Sequence, residues 1–252
     1  MTSTSPNRFA DIGYEDFRRL ATDESLSPYE RIGFPDAYRK GHEEAIVADI
    51  RAKLTNLGKE RRTVVDIGPG CTDVPRMIID LCERNQHALT LIDSAEMLAL
   101  LPDAPFIDKV SGFYPTCIEP QIGKLAGTVD VLLCYSVLHY AFVEAAFFRF
   151  IDVSLSLLAP GGQWLIGDIP NVSKRKRFFA SETGIAFHQA FMQVAEPPVV
   201  EFNKVEHELI DDAVVFAILQ RARAAGFDAY LLPQHPSLPM ANRREDILIT
   251  RP

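Results

Sequence analysis

No apolar run in the chain approaches the ~20 residues that cross a bilayer, so no membrane span is expected. The opening MTSTSPNRFAD lacks the apolar centre of a signal peptide, and a cytoplasmic location is the expectation. Basic charge is in deficit. Lys and Arg total 26 against 34 Asp and Glu, a formal net charge of -8, whereas a nucleic-acid surface needs an excess of cations. Cysteine is sparse: Cys71, Cys82, Cys117 and Cys134 form no Cys-x-x-Cys pair. With histidine equally scattered, no metal is expected, and the thiols read as reduced. Internal repeats and low-complexity segments are absent as well. The 252 residues, 47% hydrophobic and 24% charged, suit one large α/β domain with a buried core.

The stretch Val64-Val65-Asp66-Ile67-Gly68-Pro69-Gly70-Cys71-Thr72-Asp73-Val74-Pro75 organises the chain. Val64 to Ile67 reads as a buried strand, Gly68 and Gly70 as a turn without side-chain bulk, and Thr72 or Asp73 as the cap of a following helix. A strand, a glycine turn and a helix start bring bare backbone up to a ligand. NAD enzymes and methyltransferases share this device. Asp66 separates them: a carboxylate in a buried strand is costly unless a cation needs it, and an amino-acid ammonium would meet that need.

The rest alternates. Helices are expected over His42–Leu57 and Val74–Arg84, and strands over Ala88–Ile92, Ile107–Val110 and Val129–Tyr135. One apolar helix is expected over Phe142–Leu158, broken by Pro160-Gly161-Gly162 ahead of a strand from Gln163 to Asp168. Asp211 and Asp212 cap another helix, and strands at Phe227–Leu232 and Asp246–Thr250 finish the chain. Such alternation predicts an α/β fold with a mainly parallel sheet. Residues 8–57 read as an N-terminal helical cover and 169–210 as an insertion, which divides the chain into 1–58 and 59–252.

Four segments in order resemble class I S-adenosylmethionine-dependent methyltransferases: Val65–Gly70, Leu91-Ile92-Asp93, Asp130–His139 and Leu158–Leu165. The resemblance implies a Rossmann-like, doubly wound sheet of seven strands whose last strand is antiparallel, and S-adenosylmethionine as cofactor. It implies that Asp66, Gly68, Pro69 and Gly70 bracket the methionine part of the methyl donor, and that Asp93 holds the ribose beside Ser94. Met97, Gly112 and Phe113 would surround the adenine, and Tyr135 with Ser136 the sulfonium side. Thr72 stands where the family often has a third glycine, and Gly112 near where it often has an acid. Asp93 can instead cap the next helix, a task open to Ser94 also. The N-terminal cover is either a packing layer or a lid over the methyl donor, with Tyr38 on the cofactor and Arg39 on the substrate.

Methyl transfer to a hydroxyl wants a base. The candidates are His139, Asp168 and His188, each with a structural alternative: a loop hydrogen bond, a turn before Pro170, and packing among Phe187 and Phe191. Asn171 and the run Lys174-Arg175-Lys176-Arg177 would contact a phosphorylated or acidic acceptor, or else form a solvated face; Arg243-Arg244 is a weaker candidate for the same role. The resulting expectation is methyl transfer to a small polar acceptor, a hydroxyl of a sugar, nucleotide-linked sugar or secondary metabolite, by a monomer or homodimer. A protein methyltransferase and a non-catalytic partner protein that binds S-adenosylmethionine are the alternatives.

Overall fold

The computed structural model describes residues 12–252, so the expected cover before residue 12 lies outside the described part. The first elements are α1 (Tyr14–Thr22), α2 (Pro28–Arg31) and α3 (Glu43–Lys53), with a 3-10 turn at Asp36–Tyr38. Next come β1 (Thr63–Ile67), α4 (Asp73–Arg84), β2 (Ala88–Asp93), α5 (Ala95–Leu98), β3 (Ile107–Ser111) and α6 (Ile122–Leu125). They are followed by β4 (Val129–Tyr135), α7 (Leu138–Glu144), α8 (Phe147–Leu157) and β5 (Leu158–Pro170). The chain closes with α9 (Val172–Phe179), α10 (Glu182–Met192), α11 (Asp212–Ala224), β6 (Asp228–Pro233) and β7 (Arg244–Thr250).

One seven-stranded sheet has the order β3-β2-β1-β4-β5-β7-β6. Its ladders are parallel except that β7 runs antiparallel to both β5 and β6. The doubly wound sheet with an antiparallel last strand is therefore present. Consecutive strand residues face opposite ways and build two cores. Val65, Leu132, Cys134, Trp164 and Ile166 join Phe150 and Ile151 of α8 and Val215 and Ile218 of α11. Val64, Val131, Leu133 and Leu165 join Ile46 and Ile50 of α3 and Ile78 and Cys82 of α4. Cover on both faces explains why β4 is apolar almost throughout. Strand order reverses between β1 and β4, the switch point where open α/β sheets hold their ligands.

Two expectations need correction. The apolar stretch Phe142–Leu158 is not one helix: α7 ends at Glu144, Ala145 and Ala146 are non-helical, and α8 starts at Phe147. The Phe142 and Phe147 rings meet edge-on across this break, 5.1 Å apart at 88°. No glycine or proline marks the site; tertiary packing does. Likewise β5 begins at Leu158, not Gln163. Val129 pairs with Leu158 and Val131 with Gln163, so Pro160-Gly161-Gly162 bulges out of a continuing ladder.

Candidate active site

Between β1 and α4 the chain passes Gly68 at φ +67 and Gly70 at φ +71. A Cβ on Gly68 would lie 2.5 Å from Val137 Cγ2, and one on Gly70 2.8 Å from Ile32 Cγ2. Both the left-handed backbone and the close approach require glycine. The Gly70 N–H donates to Asp93 Oδ2 at 3.2 Å, and the Ser94 N–H to Asp93 Oδ1 at 2.7 Å. Asp93 thus fixes the turn and the start of α5 while facing a cleft.

That cleft contains about 1130 Å³ of empty space, open mouth included. Asp66, Gly68, Pro69, Gly70 and Thr72 form its floor, Asp93, Met97, Gly112 and Phe113 one side, and Tyr135, Ser136, Val137 and Tyr140 the other. The N-terminal helices supply Tyr14, Phe17, Ile32, Phe34 and Arg39 as a roof. Helix α1 is held there by the Tyr14 N–H, which donates to Glu144 at 3.0 Å, and by an Arg18–Glu96 ion pair at 2.7 Å. Edge-on ring contacts add to it, Tyr14 on Phe113 and Phe17 on Tyr140.

The cleft favours cations. Asp66, Asp93 and Glu144 line it, and Arg39 is the one basic residue among the described residues that do. Burial, and then Asp93, push the Asp66 carboxyl up to about 8. Burial raises Asp93 to about 6 against the two N–H groups it accepts. At neutral pH Asp66 is protonated in the free protein, and a cation arriving beside it drives the proton off. Calorimetric titration in buffers of different ionisation enthalpy is expected to show release of up to about one proton per bound cationic ligand, with affinity rising from about pH 6 to about pH 9. A ligand taking up protons would contradict this. The same raised carboxyl stabilises the free fold below its unfolded pKa, and this stability is lost as pH rises through about 8.

Behind Ser136 lies a buried polar network. Arg39 and Arg244 both pair with Asp168 Oδ2, at 2.8 Å for Arg244; Ser136 Oγ donates to the same oxygen, and Gln234 donates to Oδ1 at 3.3 Å. The Asp168 N–H donates to Asp246 Oδ1 at 2.8 Å, and Lys53 pairs with Asp246 at 2.6 Å. Burial alone would raise the Asp168 carboxyl, but Arg244 and Arg39, with Ser136 and Gln234, hold it below the usual carboxylate range. Ser136 at φ +62 and Asp168 at φ +57 are left-handed non-glycine residues in contact, strain of the kind found at functional sites. The Phe34 ring stacks on the Arg39 guanidinium at 4.1 Å, with the Arg244 guanidinium 5.8 Å from the same ring. The buried Arg39 Nε has no acceptor among the described residues.

The structure thus gathers Arg39, Asp66, Gly68, Pro69, Gly70, Asp93, Met97, Gly112, Phe113, Tyr135 and Ser136 around one cleft. It places the others elsewhere. Tyr38 is outside the lining, and Ser94 is buried as the cap of α5. Asp168, expected as a base, is locked by two guanidinium groups. His139 sits behind Tyr140, ring centroids 4.0 Å apart, and burial, then Arg244, depress it to about 3. His188 packs edge-on to Phe179 on the insertion. Asn171, expected on the acceptor, spends its side chain capping α9 and donating to Asp212 and Glu245.

The basic run is also consumed internally. Lys174 donates to the Arg244 carbonyl at 2.6 Å, Arg175 and Lys176 pair with Glu206, and Arg177 pairs with Asp212. Those partners lie far along the chain, so the run's sequence carries no sign of them. Missed altogether were Tyr14, Phe17, Phe34 and Tyr140. The aromatic spacing of α1 was the available signal.

No protein-family model matches the chain, and no curated protein does. Solved structures do. The N-methyltransferase NodS from Bradyrhizobium japonicum WM9, in complex with S-adenosyl-L-homocysteine, is similar at a TM-score of 0.55 and 13% identity, over 95% of this chain and 98% of NodS. The CurJ carbon methyltransferase gives 0.54 and 15%, over 89% of this chain; the match spans only 61% of the CurJ chain. A possible exported protein from Bordetella parapertussis gives 0.53 and 16%, over 96% and 80%. At these identities the likeness is one of fold.

Proposed function

We propose that this protein is a class I S-adenosylmethionine-dependent methyltransferase acting on a small polar acceptor. The observation that carries the reading is the acidic lining of the cleft: Asp93, Glu144 and Asp66, whose proton an arriving cation displaces, against Arg39 as the one basic residue among the described lining residues. A dinucleotide would bring a diphosphate to this acidic floor, whereas S-adenosylmethionine brings an ammonium and a sulfonium to it and one carboxylate for Arg39 Nε to meet. NodS, similar in fold and solved in complex with S-adenosyl-L-homocysteine, supports the same reading.

S-adenosylmethionine supplies an activated methyl group. The chain's own task is to orient the acceptor and exclude water. Asp93 would accept from the ribose hydroxyls, with Met97 and Phe113 against the adenine. The Tyr135–Tyr140 wall borders the other end and is braced by the Arg39–Asp168–Arg244 network. That wall offers no free carboxylate, and His139 lies behind it as a neutral ring. This favours an acceptor atom that loses its proton without a strong base.

The test is calorimetric titration of the purified protein with S-adenosylmethionine, S-adenosylhomocysteine and NADH. Binding of both sulfur compounds without NADH supports the reading; NADH binding alone overturns it.

A further inference from the structure

Outside the cleft, a cation with no ion-pair partner among the described residues stands beside two aromatic rings. Arg243, just before β7, is half-buried, and its Nη1 donates to Asn242 Oδ1 at 3.1 Å. Its Nε and Nη2 meet no acceptor among the described residues and are not fully buried. Neighbouring arginines and Lys176 are matched: Arg175 and Lys176 by Glu206, Arg177 by Asp212, Arg244 by Asp168. Arg243 instead lies 6.0 Å from the Phe179 ring centroid and 5.8 Å from that of Phe187. Burial, then Arg244 and more weakly Arg175, push its guanidinium down, with Tyr38 acting the other way. A half-buried guanidinium without a counter-ion, with Arg244 and Arg175 acting on it, is placed to take an anion in a planar, two-pronged contact.

Its location gives that anion a role. Tyr38, the chain neighbour of Arg39, and Arg244, which shares Asp168 with Arg39, both act on Arg243, and Arg39 and Phe34 line the roof of the cleft. A molecule anchored on Arg243 and lying along Phe179 and Phe187 would start beside the residues that hold Arg39 over the cleft. We propose that Arg243, with Phe179 and Phe187, forms the recognition arm for an acceptor carrying an anionic group, carboxylate or phosphate, next to an aromatic or apolar portion. This rests on the methyltransferase reading only for the word acceptor; the anion site stands on its own geometry. It replaces the Lys174–Arg177 run as the acid-binding element.

The probes are phenylacetate, phenyl phosphate and the neutral isostere phenylacetamide, titrated by saturation-transfer NMR into the protein with and without saturating S-adenosylhomocysteine. Wild-type protein is expected to bind at least one of the two anions and to bind the amide about tenfold more weakly or not at all, with anion binding weakened by salt. Arg243→Gln is expected to lose at least about tenfold in anion affinity, and Arg243→Lys less, because charge is kept and the planar fork is lost. Arg221→Gln, remote on α11 and paired with Asp152, should bind as wild type does. The stronger of the two anions separates carboxylate from phosphate. Failure of both anions to bind wild-type protein, equal binding of the amide, or unchanged anion binding by Arg243→Gln overturns the proposal. Absence of S-adenosylhomocysteine binding would sink the methyltransferase reading and leave the anion result interpretable.

Discussion

Replacing Asp93 with alanine is expected to weaken S-adenosylhomocysteine binding by about 10- to 150-fold, the loss of a charge-assisted hydrogen-bond pair worth roughly 1.5–3 kcal/mol. Two effects combine. The ribose loses its acceptor, and the Gly70 and Ser94 N–H groups lose theirs, so the glycine turn is less firmly placed. Asp93→Asn keeps one acceptor oxygen and should fall between the two. Because Asp93 also helps to hold the Asp66 proton, its removal lowers the Asp66 carboxyl, and the proton released on binding shrinks with it. Calorimetry reads affinity and proton release together; thermal unfolding shows whether the fold survives. Wild-type affinity in a folded Asp93→Ala protein would remove Asp93 from the binding site.

The second large effect is on stability. Asp168→Ala strands Arg39 and Arg244, both buried, without their shared carboxylate. Breaking a buried ion pair from one side costs about 3–5 kcal/mol, and a protein of this size melts roughly 2–4 °C lower for each kcal/mol, so a fall of roughly 6–20 °C is expected. Arg39→Met should cost less, since Arg244 still answers Asp168. The sign with pH follows from the depressed Asp168 carboxyl. Its stabilisation is present above the unfolded value of about 3.9 and is lost as pH falls through the lower folded value. Asp168→Asn removes that dependence, so the gap in melting temperature between wild type and variant should close in acid. Melting within about 2 °C of wild type at neutral pH would show that the network carries little.

How much of this could be read from the chain depended on range. Strand β4 falls on the expected residues because a strand covered on both faces is a continuous apolar run flanked by polar ones. Gly68, Gly70, Asp66 and Asp93 were legible because turn, carboxylate and strand end are local and close in sequence. The Arg39–Asp168 pair spans 129 positions and the Arg244–Asp168 pair 76, and neither leaves any period to detect. For the same reason the basic run looked free: Glu206 and Asp212 reach it only after the chain has folded back. The break between α7 and α8 escaped notice because it is set by ring packing, not by a helix-breaking residue. Arg243, adjacent in sequence to a fully paired arginine, differs from it only in what the fold brings near.

We propose the cleft above β1, β2 and β4 as the site for S-adenosylmethionine. The most direct measurement is a crystal structure of the protein grown with saturating S-adenosylhomocysteine. Density is expected in this cleft, with the ribose on Asp93, the adenine between Met97 and Phe113, and the amino-acid carboxylate facing Arg39. An empty cleft at millimolar ligand, or the ligand bound on another surface, would contradict it.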